Sequence, residues 1–298
     1  MLQATVEPPL DLAAAAPATS PGYWRTVARR FRGERLAVGA ACVIVLLLLM
    51  AVFAPLLAPA DPYLASMLRR LKPIGFEGHP LGTDELGRDM LSRLIVGARL
   101  SLFMGITPVL LAFVAGSAIG IAAGYAGGRV NSVVMRTVDV FYAFPSVLLA
   151  IALSGALGAG MTNSLISLTI VFIPPIARVA ESVTTQVRGR DYVEAARASG
   201  AGAFTIVRVH VLGNVLGPIF VYATSLIAVS MILASGLSFL GLGVKPPEPE
   251  WGLMLNTLRT AIYVQPWIAA LPGVMIFITS VAFNLLADGL RNAMEIKQ

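Results

Sequence analysis

The chain has 298 residues, 57% of them apolar and only 13% charged, with a formal charge of +6 and a mean hydropathy of +0.79. Soluble domains carry roughly 25% charged residues, so the composition excludes a soluble globular protein and identifies an integral membrane protein. Alternating ten-residue segments of the outer-membrane barrel kind are absent, which leaves an all-α bundle.

Residues 1–35 read as a cytoplasmic N-terminal tail, rich in Ala and Pro over the first 22 positions and without periodicity there. The apolar run that follows begins at Leu36 and is too long for the 7–15-residue apolar region of a signal peptide, so it is expected to stay attached as a span. A bilayer core about 30 Å thick needs roughly 20 apolar residues per helix. Six stretches qualify: Leu36–Leu57, Leu100–Tyr125, Val138–Leu157, Leu165–Val183, Ile219–Leu240 and Trp267–Ala287. Between the first two lies a long polar loop, 58–99, whose end is amphipathic and predicts an interfacial helix. Thr83 or Asp84 is positioned to cap that helix. The remaining five spans, 100–290, enclose a polar segment at 184–212, and 291–298 is a short tail.

With the N-terminus inside, fourteen of the 22 Lys and Arg residues fall in cytoplasmic segments. The other eight are Arg69, Arg70, Lys72, Arg88, Arg93, Arg99, Lys245 and Arg259. Retention of positive charge on the cytoplasmic side therefore favours N-in, C-in, and anionic lipid headgroups account for the basic balance without nucleic acid.

Catalytic chemistry finds no foothold in the sequence. The three lysines follow Leu71, Val244 and Ile296, so no Gly-Lys-Ser/Thr phosphate loop exists. His79 and His210 fall in different loops, no His-Glu-x-x-His occurs, and Gly-x-Ser-x-Gly is missing, which removes metalloprotease and serine hydrolase readings. Cys42 is the single cysteine, within the first span, and is read as packing. Near the cytoplasmic ends of spans, Arg136 with Asp139 and Arg178 with Glu181 stand at i,i+3 and predict ion pairs within a helix. Gly116, Gly120, Gly124 and Gly128 repeat every fourth residue and predict close helix packing.

The segment Asp191–Ala198 predicts a short helix, Ser199-Gly200 its left-handed end, and Ala203–Val211 a second apolar-faced helix leading into the fifth span. Within it, Tyr192, Val193, Glu194, Ala195, Ala196 and Arg197 are followed by Gly200 and then by His210 and Asn214. Glu-Ala-Ala, a Gly four residues after the second Ala, and His-x-Leu-x-Asn form one pattern on a cytoplasmic loop. It resembles the ATPase-docking loop of permease subunits of bacterial ABC importers. Further stretches resemble the C-type permease of the dipeptide, oligopeptide and nickel importers: Gly82–Asp89 with Ser92-Arg93, Asp139–Pro145, Leu237–Val244, and Pro246-Pro247 through Trp251-Gly252. The resemblance runs from about Arg30 to Ala293, with Leu212-Gly213-Asn214 where the family commonly has Leu-Pro-Asn.

That resemblance implies a six-helix type I importer permease in the bacterial plasma (inner) membrane, crossing it several times. Its implied partners are a second homologous permease, two ATPase subunits that bind the ATP and Mg, an extracytoplasmic binding protein, and membrane lipids. The chain itself would hold no cofactor and no metal. Glu194 is then expected to meet a polar or cationic group of the ATPase. Thr83, Asp84, Arg88, Pro247 and Trp251 are expected to contact the binding protein. The cargo expected is a dipeptide or oligopeptide, with nickel or glutathione as alternatives within the family. A secondary carrier is the reading from another class, disfavoured by the absence of a mid-membrane carboxylate.

Overall fold

A computed structural model describes residues 23–294. The Ala/Pro-rich stretch 1–22, Lys297 and the end of the C-terminal tail lie outside the described residues. The chain opens with α1 (Tyr23–Gly33), a basic helix that the sequence reading did not separate from the tail. Its Val27 is buried, and a break at Glu34 leads into α2 (Arg35–Val52), the first candidate span. The apolar run continues to Leu57, but the helix turns at Phe53 into the short α3 (Ala54–Leu57), where Pro55 sits in the first turn.

The largest departure from expectation is α4 (Met90–Ala126), a single helix of 37 residues. The amphipathic segment expected to lie on the membrane as a separate helix is instead the first three turns of this one. The reason is local: Asp89 caps the helix by accepting from the Ser92 N–H at 2.8 Å, and no proline interrupts the chain before Pro108. At 1.5 Å per residue, α4 is about 55 Å long, well beyond a bilayer core of about 30 Å. It therefore joins the loop layer to the span without a hinge.

The third apolar stretch departs as well. It is shared by α5 (Gly128–Tyr142) and α6 (Ser146–Leu157), bent by 85° across Ala143–Pro145. Pro145 lacks an amide donor and pushes Phe144 out of helical geometry, so a straight helix cannot pass. By length and composition the described residues hold five candidate spans, or six if this bent pair counts as one.

α7 (Met161–Arg188) packs along α4 over most of its length, and the glycine stripe is the reason. A Cβ at Gly116, Gly120 or Gly124 would stand 2.9, 2.3 and 2.8 Å from the carbonyl oxygens of Ile173, Ala177 and Glu181. Side chains there would push the two backbones apart. Gly128, the fourth member, meets nothing and starts α5. The expected i,i+3 ion pairs also take other partners. Arg178 bonds Asp139 across α7 and α5, and Glu181 accepts from the Asn131 amide at 2.6 Å. Helix-to-helix pairing wins because α5 and α7 lie side by side.

After α7 come α8 (Asp191–Ala198) and α9 (Ala203–Ile206), then a π-helical turn over Val207–Val211 that runs straight into α10 (Leu212–Phe239). Leu212-Gly213-Asn214 is helical, so the irregular entry to this span sits one turn earlier than the family's proline would place it. The chain closes with α11 (Trp251–Thr257) and α12 (Pro266–Met294). The end of α12 returns to the start of α2, where Asn292 donates to Glu34 at 2.9 Å and Gly289 abuts Ala37.

Candidate functional site

Two polar assemblies flank the apolar bundle. The first is the loop between α7 and α10. α8 carries Asp191 and Glu194 in its first turn and Arg197 in its last, the signs that suit the helix dipole. Val193 is fully buried and packs in one apolar cluster with Ile206 and Val211, so α8 is pinned to the base of the next helix by its inward face. The helix stops at Gly200, whose φ of +82° is a left-handed geometry that costs a side-chain-bearing residue roughly 1–2 kcal/mol. The Ser199 hydroxyl donates to the Ala195 carbonyl at 2.9 Å and the Ala201 N–H to the Ala196 carbonyl at 3.1 Å, closing the turn.

The outward face is different in kind. Glu194, Ala195 and Arg197 are exposed, and neither Glu194 nor Arg197 has an ion-pair partner among the described residues. Tyr192 is 44% and Phe204 78% exposed. His210 lies half-buried with its ring 6.4 Å from that of Tyr192, and the Asn214 amide donates to the His210 carbonyl at 2.7 Å. All nine expected residues thus belong to one unit: Tyr192 to Arg197 on the strut, Gly200 at its hinge, His210 and Asn214 at its root. Phe204 was missed, although an aromatic residue standing alone in a Gly/Ala/Thr segment is a visible signal.

The second assembly caps the other end of the bundle. Asp84 accepts from the Arg88 guanidinium at 2.7 Å and lies 3.4 Å from Arg93. Its second oxygen accepts the Leu86 and Arg88 N–H groups at 2.8 and 2.9 Å. His79 Nδ1 stands 2.9 Å from Asp89, and the Arg93 guanidinium donates to the Pro62 carbonyl at 2.9 Å. Trp251 is fully buried and donates from its indole to the Leu94 carbonyl at 3.0 Å. Glu250 caps α11 through the Gly252 and Leu253 N–H groups at 2.9 and 2.8 Å. Burial pushes its carboxyl above the usual carboxylate range, and those two N–H groups only partly oppose the shift.

This geometry corrects the expected binding-protein contacts. Thr83, Asp84, Arg88 and Trp251 are buried within the chain. Their polar groups are spent on holding the 58–89 segment and the 240–265 loop against α4, and of the four only Asp84 and Arg88 line a surface cavity, beside Asn256 and Arg259. Of the five, only Pro247 is exposed.

The comparisons agree with this architecture. The family model described as "Binding-protein-dependent transport system inner membrane component" matches residues 116–297, and that described as "N-terminal TM domain of oligopeptide transport permease C" matches residues 22–73. A glutathione transport system permease protein, GsiD, of Pectobacterium atrosepticum is 41% identical over 274 residues, covering 92% of this chain and 91% of that protein. A di/tripeptide transport system permease protein, DppC, of Pseudomonas aeruginosa is 40% identical over 282 residues, with 92% and 91% covered. Among solved structures, a chain of the inward-facing MetNI methionine ABC transporter superposes with a TM-score of 0.56 at 20% identity. That match covers 68% of this chain and 97% of the other, and it supports the fold. This chain belongs to the family of binding-protein-dependent transport system inner membrane components.

Proposed function

We propose that the chain is one pore-forming half of an ATP-driven peptide importer, and that α8 with the turn to α9 is the contact through which separate ATPase subunits move the pore. The observation that carries this reading is the two-faced strut. α8 is fixed inward by Val193 and offers a charged, aromatic-edged outer face whose Glu194 and Arg197 have no ion-pair partner among the described residues. A strut held at both ends by long helices transmits displacement, whereas a free loop would absorb it. Small Ala195 lets a groove approach closely, and Glu194 is placed for a cationic or polar group there. ATP-driven closure then shifts the pore between its two access states through contacts that differ between them. A peptide cargo, glutathione included, is supported by the names of the relatives. An extracytoplasmic binding protein would deliver it, and a second, related permease would complete the cavity.

Glu194→Lys reverses the charge on the outer face, and Gly200→Val forces a branched residue into left-handed geometry. Both variants should insert in the membrane at wild-type levels, yet co-purify less ATPase and lose about tenfold or more of ATP-dependent uptake of a radiolabelled di- or tripeptide, the effect of roughly 1.4 kcal/mol at the contact. Wild-type co-purification and uptake in both would overturn the lever reading. Uptake of nickel in place of peptide by the unaltered system would overturn the cargo alone.

A further inference from the structure

On the side of the bundle that carries the 58–89 segment, Arg70, Arg99, Lys245 and Arg259 have no ion-pair or side-chain hydrogen-bond partner among the described residues, and of these Arg99 and Lys245 line one cavity together. Both are exposed. Arg93, six positions before Arg99 on α4, is by contrast engaged by Asp84 and the Pro62 carbonyl. A charge within an apolar helix is costly unless it is paired or reaches the water interface, so an unpaired one marks a place where a counter-charge is wanted.

Arg99 lines two adjoining cavities. One, of about 690 Å³, has Arg99, Lys245 and Glu248 among its polar lining over an apolar floor that includes Phe103. Glu248 is already engaged there by the Tyr63 hydroxyl at 3.0 Å. The other, of about 420 Å³, is a groove between α2 and α4 walled by Leu48, Val52, Leu102, Phe103 and Ile106. Arg99 and Phe103 line both, so a cationic rim leads into an apolar groove at the level where α2 ends. The flank of α2 beside it is open, with Leu46 67% and Val52 67% exposed, as expected of a helix face that meets hydrocarbon.

We propose that these cavities form a binding site for one phospholipid, its phosphate held by Arg99 and Lys245 and an acyl chain laid in the α2–α4 groove. Charge complementarity selects the phosphate. The groove selects a lipid over a free anion or a cargo peptide, neither of which has a chain to place there. The bound lipid would tie α2 to the end of α4 that the loop layer grips.

The test is native mass spectrometry of the full chain, purified with whatever subunits accompany it and titrated with phosphatidylglycerol or with diacylglycerol of the same chain length. Phosphatidylglycerol should be retained and diacylglycerol should not. In the double variant Arg99→Gln/Lys245→Gln retention should fall by roughly 30-fold, the effect of two surface cations on one phosphate, while Arg259→Gln, outside both cavities, leaves it unchanged. Val52→Trp should block the groove and abolish retention of long-chain phosphatidylglycerol while short-chain dihexanoyl phosphatidylglycerol still binds. Equal retention in the double variant and the Arg259→Gln control would overturn the proposal. So would displacement of the lipid by a dipeptide at millimolar concentration, which would assign the rim to cargo.

Discussion

Asp84 shows how the outer cap spends its polar residues. Its carboxylate is shared by Arg88, Arg93 and two backbone N–H groups at 3% exposure, so removing it leaves two buried guanidinium groups short of their counter-charge. Asp84→Ala should cost about 3–5 kcal/mol, read as a lower Tm and as protease cleavage within 58–89. A Tm within a degree of wild type would remove Asp84 from its place at the centre of the cap. Glu250 gives a pH signature. A carboxyl whose folded pKa is raised stabilises the fold below its unfolded value, about 4.3, and loses that contribution as pH rises through the folded value. Glu250→Gln carries no charge to bury, so its Tm relative to wild type should climb as pH is raised from about 4.3 toward neutrality; a pH-independent difference would contradict the raised pKa. A cap for the following helix was legible here, but it was expected at Thr83 or Asp84 and is supplied by Asp89, and the sharing of Asp84 was not legible. Nothing in the spacing of Asp84, Arg88 and Arg93 says that all three turn inward, because burial is set by the 240–265 loop, more than 150 positions away in sequence.

Among the elements, what was legible is what local apolarity dictates. The spans appeared where the apolar runs stand, and the Gly116/Gly120/Gly124 face packs as its four-residue spacing requires. What was not legible is where helices continue past apolar runs or break inside them. α4 gained three turns because Asp89 caps it, and the third stretch broke because Pro145 stands in its middle. Gly120 is the tightest of the stripe, and a side chain there must displace the α7 backbone. Gly120→Val should destabilise by about 1–3 kcal/mol and lower the yield of monodisperse protein in size-exclusion chromatography, while Gly155→Val, on α6 with open space around its Cβ position, should be tolerated far better. Equal yields from the two would show that the α4–α7 contact does not depend on the stripe.

For the whole molecule, the two polar assemblies divide the labour. One stabilises: the polar centre of the outer cap is buried, with Asp84 paired with Arg88 and Arg93 and Asp89 bonded to His79. In the other, Glu194 and Arg197 have no ion-pair partner among the described residues, and α8 presents them with Tyr192, beside Phe204 of α9, to whatever lies beyond the bundle. A family pattern identified the nine residues of that unit, yet no rule of periodicity distinguished its buried Val193 from its exposed Glu194, because both belong to one short helix whose orientation depends on Ile206 and Val211. The central claim is that this strut is an ATPase contact, and contact is best read directly. A photoreactive amino acid placed at Ala195, irradiated in intact membranes, should capture an ATPase subunit, with more capture when nucleotide is bound, whereas the same group at the exposed Glu77 in the opposite cap should capture none. Failure of Ala195 to capture any ATPase subunit while the assembly remains intact, or equal capture from Glu77, would contradict the account.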